Sequence, residues 1–474
     1  MSYIKVKGHR TYKVRKGTVL LDFLKTRRLP INAVCGGQGR CGKCKVKIKN
    51  IQKPPDKLSS LFIEEKLLKR GYRLACRHRI VNDIEIDIPQ PERRFPKISK
   101  NVGLALDLGT TVIKGAAIDM RTHRVRKQTK AYNLQGSFGG DVITRINAAL
   151  EGKYNTLRKL LLTTVGEIKQ RLGVNKALFT TIVGNPVMLS FYLNKPVDSL
   201  AQHPFRSTIT NGLFIKHSRN YIFPSIGGFV GGDAIAGLLA CGFNEKSKSV
   251  LYIDLGTNGE VVLLKGNRIF ATSTAAGPAF EGTGLRCGSL AVPGAIDRVT
   301  FGKKSFRIHT IKAKKPIGFC ASGLIDLIAV LLNRGTLRED GRLLRIVEVK
   351  GISIVQKDIR KLQLAIGAIH TGIRILMNNA RVNPKQIEEA VLTGEFGVRL
   401  NIDALYRIGL LPKGIRKVRF MNDLPLKGAI LALKNDHFIK EADKIRKLSS
   451  HISLATCHAF QKAFISALRL APWS

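Results

Sequence analysis

The hydrophobic and polar positions alternate from the first residues. Segments 2–7 (SYIKVK) and 11–16 (TYKVRK) have the two-residue period of strands and predict a short hairpin around Gly8-His9. Thr18 is placed to cap a helix running through Arg28, with Val19, Leu20, Phe23 and Leu24 on its inner face. Further strand-like segments follow at 45–49 and 80–88, and the proline-rich stretch 89–96 (PQPERRFP) then breaks all periodicity. Beyond it, 102–119 (VGLALDLGTTVIKGAAID) and 250–263 (VLYIDLGTNGEVVL) each read as an apolar strand, a tight turn and a second apolar strand. Segment 389–397 (EAVLTGEFG) is a short strand entering a glycine-bounded turn. Helical periodicity occupies 156–172, 231–242, 323–333, 358–381 and 427–434, so strands and helices alternate in the manner of an α/β architecture. The expected division is 1–90, a linker at 91–101, and two similar halves at 102–248 and 249–474.

Composition narrows the class. The 474 residues are 44% hydrophobic and 24% charged, ordinary values for folded domains. No uncharged apolar run of membrane-spanning length occurs, and the opening MSYIKVKGHRTYKVRKG has no signal-like apolar core, so a soluble cytoplasmic protein with no membrane partner is expected. The charge is unusual: 80 Lys and Arg against 33 Asp and Glu give +47. Such a surplus invites a nucleic-acid reading, with salt-sensitive phosphate affinity. Against that reading, no zinc finger or helix–turn–helix pattern occurs, aromatics are 7%, and the basic residues are dispersed among apolar ones.

Cysteine placement separates two chemistries. Cys35, Cys41, Cys44 and Cys76 cluster as C-x5-C-x2-C plus one distant thiol, with glycines at 36, 37, 39 and 42; Cys241, Cys287, Cys320 and Cys457 stand alone. Four thiolates match two bridged irons, and the glycines let backbone amides approach the sulfurs. A structural zinc site would show a second C-x-x-C pair, a disulfide framework does not suit a reducing compartment, and a phosphate-loop reading of 37–44 fails because Cys44 stands in the Ser/Thr place. The segment resembles the [2Fe–2S] ferredoxins of the β-grasp fold, with a first gap closer to the adrenodoxin-like spacing than to the plant type. The solitary cysteines read as core or incidental residues, and Met188 and Met377 as core.

The turn Asp107, Gly109, Thr110, Thr111 can offer amides and hydroxyls to phosphate oxygens while its carboxylate faces hydrated Mg²⁺. It recurs about 147 residues later as Asp254, Gly256, Thr257, Asn258, Gly259 and Glu260. Two such turns suggest similar halves facing one Mg–nucleotide across a cleft.

This pattern resembles the acetate kinase/sugar kinase/Hsp70/actin superfamily, with DLGTT and DLGTNGE as phosphate motifs and LTGEFG, through Gly394, Phe396 and Gly397, as the adenosine motif. Residues 231–237 and 428–432 look like its two connecting helices. With the strings 222–233, 275–282 and 359–367, behind a ferredoxin domain, nearly the whole chain resembles the reductive activators of corrinoid proteins. The resemblance implies an α+β β-grasp [2Fe–2S] ferredoxin domain followed by a two-lobed α/β actin-like ATPase fold. It implies ATP, Mg²⁺ and a [2Fe–2S] cluster as cofactors. The implied activity is ATP-dependent passage of one electron from the cluster to a Co(II) corrinoid, regenerating Co(I). A corrinoid protein or corrinoid-dependent methyltransferase component and an upstream electron donor are the implied partners. Asp107 and Asp254 would hold Mg²⁺ through water, Thr110, Thr111, Thr257 and Asn258 would contact phosphates, and Asp233 or Glu260 would orient the attacking water. A plain electron carrier with a regulatory nucleotide domain is the alternative.

Three departures from the family pattern stand out. A longer linker and a further middle domain are expected between ferredoxin and nucleotide halves, yet Val102 begins the first phosphate hairpin almost at once. Glu395 replaces a smaller residue in the adenosine motif, and 183–188 (VGNPVM) keeps Gly-Asn without a following His. Residues 1–100 carry 26 Lys and Arg against 8 Asp and Glu, a denser surplus than the remainder; it is read either as a docking face for acidic protein partners of the cluster domain or as lineage-wide lysine enrichment without a specific partner.

Overall fold

The computed structural model describes residues 1–474 except 28, 30, 32, 34–36, 38, 40, 41, 50, 52, 53, 89–100, 244–248, 283, 304, 395–399, 458 and 474. The expected linker up to residue 100, Cys35, Cys41, Glu395, Phe396 and Gly397 therefore lie outside the described residues. Among the described residues, no helix is long and apolar enough to cross a membrane.

The N-terminal body is a five-stranded sheet. Strands β1 (Ser2–Val6) and β2 (Thr11–Val14) form the expected hairpin. Helix α1 (Leu20–Thr26) follows, then β3 (Lys45–Ile48), β4 (Tyr72–Leu74) and β5 (Ile84–Asp87), in the order β2-β1-β5-β3-β4. The inward positions Ile4, Val6, Val46, Ile48 and Ile86 bury against Leu20, Leu21, Phe23 and Leu24 of the helix. Alternation on the strands and helical spacing on α1 thus supply one core. The helix begins one residue later than Thr18 would set it. Val19 is its N-cap, with no side-chain cap, while the Thr18 hydroxyl donates back to the Arg15 carbonyl at 2.8 Å.

The first lobe is built on β6 (Val102–Leu108), β7 (Val112–Asp119) and β8 (Val125–Tyr132), an antiparallel meander. Helix α2 (Tyr154–Leu172) precedes β9 (Thr180–Gly184), which lies parallel to β6. Two short strands, 213–215 and 220–222, complete its six-stranded sheet. Helix α3 (Gly232–Cys241) leads to the second lobe.

There the plan repeats. Strands β10 (Val250–Leu255), β11 (Gly259–Lys265) and β12 (Arg268–Thr274) form the second antiparallel meander. The long helix α4 (Gln356–Ala380) precedes β13 (Glu389–Thr393), which lies parallel to β10. The equivalent strand orders β9-β6-β7-β8 and β13-β10-β11-β12 give structural form to the repeated sequence motif.

Helix α5 (Leu424–Lys434) packs with α3 between the two sheets. One core joins Ala105, Ala116 and Ile118 of the first sheet to Ile235 and Leu238 of α3. It continues through Leu426 and Ile430 of α5 to Tyr252 and Val262 of the second sheet. The crossing is close because Gly428 faces Ala236: a Cβ there would collide with the Ala236 carbonyl oxygen. The two helices lie between the sheets that carry the β6–β7 and β10–β11 hairpins.

Candidate functional site: a cavity between the lobes and the cluster loop

The hairpins converge on a cavity of about 530 Å³. Its wall includes Asp107, Gly109, Thr110 and Thr111 from the β6–β7 turn and Asp254, Gly256, Thr257, Asn258 and Glu260 from the β10–β11 turn. Asp233 and Gly394 also line it, the latter directly after β13. Gly259 does not; it packs between α4 and β12, where a Cβ would strike Thr274 Oγ1 at 2.6 Å.

Strand register explains the convergence. Asp107 and Asp254 are each the next-to-last residue of their strand, so each carboxylate emerges where the strand enters its turn. Asp254 pairs with Glu260 across the β10–β11 ladder, and Asp107 with Lys114 across β6–β7. Asp233 lies in the first turn of α3, where its Oδ1 accepts from the Ala234 amide at 2.9 Å. A helix N-terminus favours a carboxylate.

Hydroxyls connect the two sides. Thr111 Oγ1 and Thr257 Oγ1 are 3.0 Å apart, and Thr257 Oγ1 donates to Glu281 Oε1 at 2.6 Å. The Thr257 proton being committed to Glu281, Thr111 is the donor to Thr257. Asn185 donates from Nδ2 to Thr110 Oγ1 at 3.0 Å while its Oδ1 accepts the Met188 amide, capping the helix Pro186–Leu193. Lys114 Nζ reaches Asp423 Oδ1 at 2.7 Å, ahead of α5.

The floor is an excess of buried acid. Burial, together with the charges of Asp233, Asp254 and Asp423, pushes Asp107 up to about 8 in spite of Lys114. Asp233 is likewise raised, to about 7, by burial and by Asp254, against the pull of its backbone hydrogen bonds. Glu260 is held well above the ordinary range by burial and by Asp233 and Asp254. Carboxylates crowded in this way suit a divalent cation held through its water shell, since among the described residues no three of them are placed to ligate one directly.

The cluster loop approaches the same cavity. Cys44 is buried and Cys76 half-buried, and the Ala75 amide donates to the Cys44 carbonyl at 2.8 Å, bringing these two thiols to neighbouring strand ends. Gly37, Gly39 and Gly42 have φ of +102°, +75° and +63°, and a Cβ on Gly42 would stand 2.6 Å from Phe62. Left-handed backbone at these three glycines fits a chain that passes close to a compact thiolate-bound cluster. Among the described residues no group of three or more His, Cys, Asp or Glu forms a metal site, and Cys35 and Cys41 lie outside them. Cys287 and Cys320 are buried in the second lobe, and burial raises the Cys320 and Cys241 thiols.

Lys114, Asp423, Lys43 and Tyr132 do not stand out as site residues in the sequence, and Asn185 and Glu281 have no assigned role there. Lys114 had a signal, a lone cation inside an apolar strand. Asp423 had only its place before a helix, and nothing in the primary structure joins Lys43 to Tyr132.

The 2Fe-2S iron-sulfur cluster binding domain family matches residues 4–81, the RACo middle region 102–246, and the C-terminal domain of RACo, the ASKHA domain, 248–473. The corrinoid activation enzyme RamQ of Eubacterium limosum is 31% identical over 428 residues, covering 80% of this chain and 71% of that one. The chain belongs to the family of reductive activators of corrinoid proteins. Another relative in this family, the [Co(II) methylated amine-specific corrinoid protein] reductase of Methanosarcina barkeri, is 26% identical over 417 residues, 77% of this chain and 76% of that one. The solved reductive activator for corrinoid, iron-sulfur protein superposes over 100% of this chain and 99% of its own, with a TM-score of 0.72 and 25% identity. The activator architecture is therefore a 2Fe-2S ferredoxin domain joined to an ASKHA fold. One expectation is corrected: the family's middle region has a counterpart at 102–246, the segment that begins with the first phosphate hairpin.

Proposed function

We propose that the protein hydrolyses ATP to drive one electron from its [2Fe–2S] cluster to a corrinoid protein, reducing Co(II) to Co(I). The observation that carries this reading is the facing of two acid-bearing turns across one cavity, with Thr111 and Thr257 at 3.0 Å, in a chain whose other domain is of the 2Fe-2S type. Electron and nucleotide chemistry share one molecule, as uphill reduction requires. Each ~59 mV of uphill one-electron transfer costs a factor of ten, so a coupled free-energy source is needed.

In this reading Cys35, Cys41, Cys44 and Cys76 hold the cluster, which supplies a one-electron carrier filled by an upstream donor. Asp107 and Asp254 hold hydrated Mg²⁺, which neutralises phosphate charge. Thr110, Thr111, Thr257 and Asn258 contact the phosphates, Asn185 fixes the Thr110 hydroxyl, and Gly394 lies at the nucleoside end. Asp233 orients the attacking water: its backbone hydrogen bonds at the start of α3 favour the ionised form, whereas burial and its acidic neighbours hold Glu260 well above the ordinary range. Lys114 and Asp423 tie the first hairpin to α5, so a change at the phosphates is transmitted to the helix pair between the sheets.

The test is ATP turnover by the anaerobically prepared protein, with and without a Co(II) corrinoid protein. Hydrolysis stimulated by that partner supports the reading. Nucleotide binding without turnover would leave a ferredoxin-type carrier with a regulatory nucleotide domain.

A further inference from the structure

The cavity wall is completed from outside the two lobes. Gly42, Lys43 and Lys45, from the segment that carries Cys44, line it beside the phosphate turns. Lys43 Nζ lies 5.0 Å from the centre of the Tyr132 ring, inside the roughly 6 Å range of a cation–π contact. Tyr132, at the end of β8, packs in turn against Leu290 of the second lobe, as does Val292. One side chain thus meets the cluster loop, the first lobe and the second lobe at the mouth of the cavity.

Both signs of charge line the cavity: the carboxylates Asp107, Asp233 and Glu260, with Lys114 among them, and the cationic groups Lys43, Lys45 and Arg171. A polyphosphate bound through a cation at the floor keeps uncompensated negative oxygens, and an exposed lysine on a flexible stem can reach them.

We propose that the cluster loop itself supplies a phosphate-binding lysine, Lys43, to the nucleotide cavity, so that occupancy of the cavity and seating of the cluster domain are one coupled event. The proposal rests on the reading of the cavity as a nucleotide site. Coupling of this kind is reciprocal: if the loop strengthens nucleotide binding, the nucleotide must stabilise the seated loop by the same factor. Loss of the terminal phosphate then weakens the seat and releases the cluster domain towards its partner.

The test uses the full chain with its cluster and the magnesium complex of the non-hydrolysable analogue AMP-PNP. Two quantities are read: the dissociation constant, and the change in visible circular dichroism of the cluster on binding. The expected result for Lys43→Ala is about tenfold weaker binding and loss of the dichroism change, with near-normal values for Lys43→Arg. Tyr132→Leu leaves the cluster loop untouched, and is expected to diminish the dichroism response in a protein of unaltered cluster content. Lys47→Ala, on β3 just after the loop but off the cavity wall, serves as the control. Affinity within twofold of wild type and an intact dichroism change in both Lys43→Ala and Tyr132→Leu would overturn the proposal. Failure of the wild-type protein to bind AMP-PNP at all would instead overturn the nucleotide reading beneath it.

Discussion

Thr111 and Thr257, 146 residues apart in sequence, bring their hydroxyl oxygens within 3.0 Å and so close the gap between the two halves of the cavity. The chain of donors runs from Thr111 to Thr257 to Glu281, fixing the second turn from both sides. Thr257→Val removes both hydrogen bonds at constant volume. The expected outcome is about tenfold weaker nucleotide binding with a melting temperature lowered by only a few degrees, measured by calorimetric titration and thermal unfolding.

Asp107 links stability to pH. Its folded pKa of about 8 lies above the ordinary carboxylate value, so the folded state holds a proton that the unfolded chain gives up. Its unfavourable contribution is absent in strong acid and grows as pH rises from about 4 to about 8. Without divalent cations, Asp107→Asn is expected to melt at a higher temperature than wild type, by a margin larger at pH 8.5 than at pH 5. The same variant should lose ATP hydrolysis by about a hundredfold or more.

His370 gives the opposite slope. Its ring stacks on Trp473 at 3.9 Å, Nδ1 donates to the Gly409 carbonyl at 2.9 Å, and burial with the nearby Arg374 lowers its pKa to about 4. A depressed folded pKa leaves its contribution intact above about 6.5 and removes it as pH falls towards 4. The loss is expected to reach about 3 kcal/mol, and a His370→Gln variant should show a shallower acid limb in denaturant titrations.

The 26 Lys and Arg against 8 Asp and Glu in residues 1–100 predict an electrostatic contribution to partner encounter. Association with the corrinoid protein is expected to slow by about tenfold as salt is raised from low to several hundred millimolar, read by stopped flow. Rates insensitive to salt would contradict an acidic docking face.

Local pattern and spacing carried much of this. The helices expected at 156–172, 323–333, 358–381 and 427–434 are found at Tyr154–Leu172, Ala321–Asn333, Gln356–Ala380 and Leu424–Lys434, because each has a continuous apolar stripe. The β6–β7 and β10–β11 hairpins were equally legible, since each pairs two apolar strands through a glycine-bearing turn. What depended on distant packing was not. Gly259 looked like part of a phosphate turn, yet Ile369 and Thr274 crowd it from α4 and β12. Lys114 meets Asp423 only because α5 is clamped against α3 between the sheets. Thr18 had the chemistry of a cap, but the backbone begins α1 after Val19 and leaves its hydroxyl for Arg15. Tyr132 shows no signal at all in the linear chain, because its neighbours come from three separate bodies.

The coupling of hydrolysis to reduction is tested most directly by anaerobic absorption spectroscopy of a Co(II) corrinoid protein mixed with the cluster-reduced protein. With Mg–ATP the Co(II) spectrum should give way to that of Co(I), and with AMP-PNP or with Asp107→Asn it should persist. Co(I) appearing equally without ATP, or ATP consumed while cobalt stays Co(II), would contradict the account.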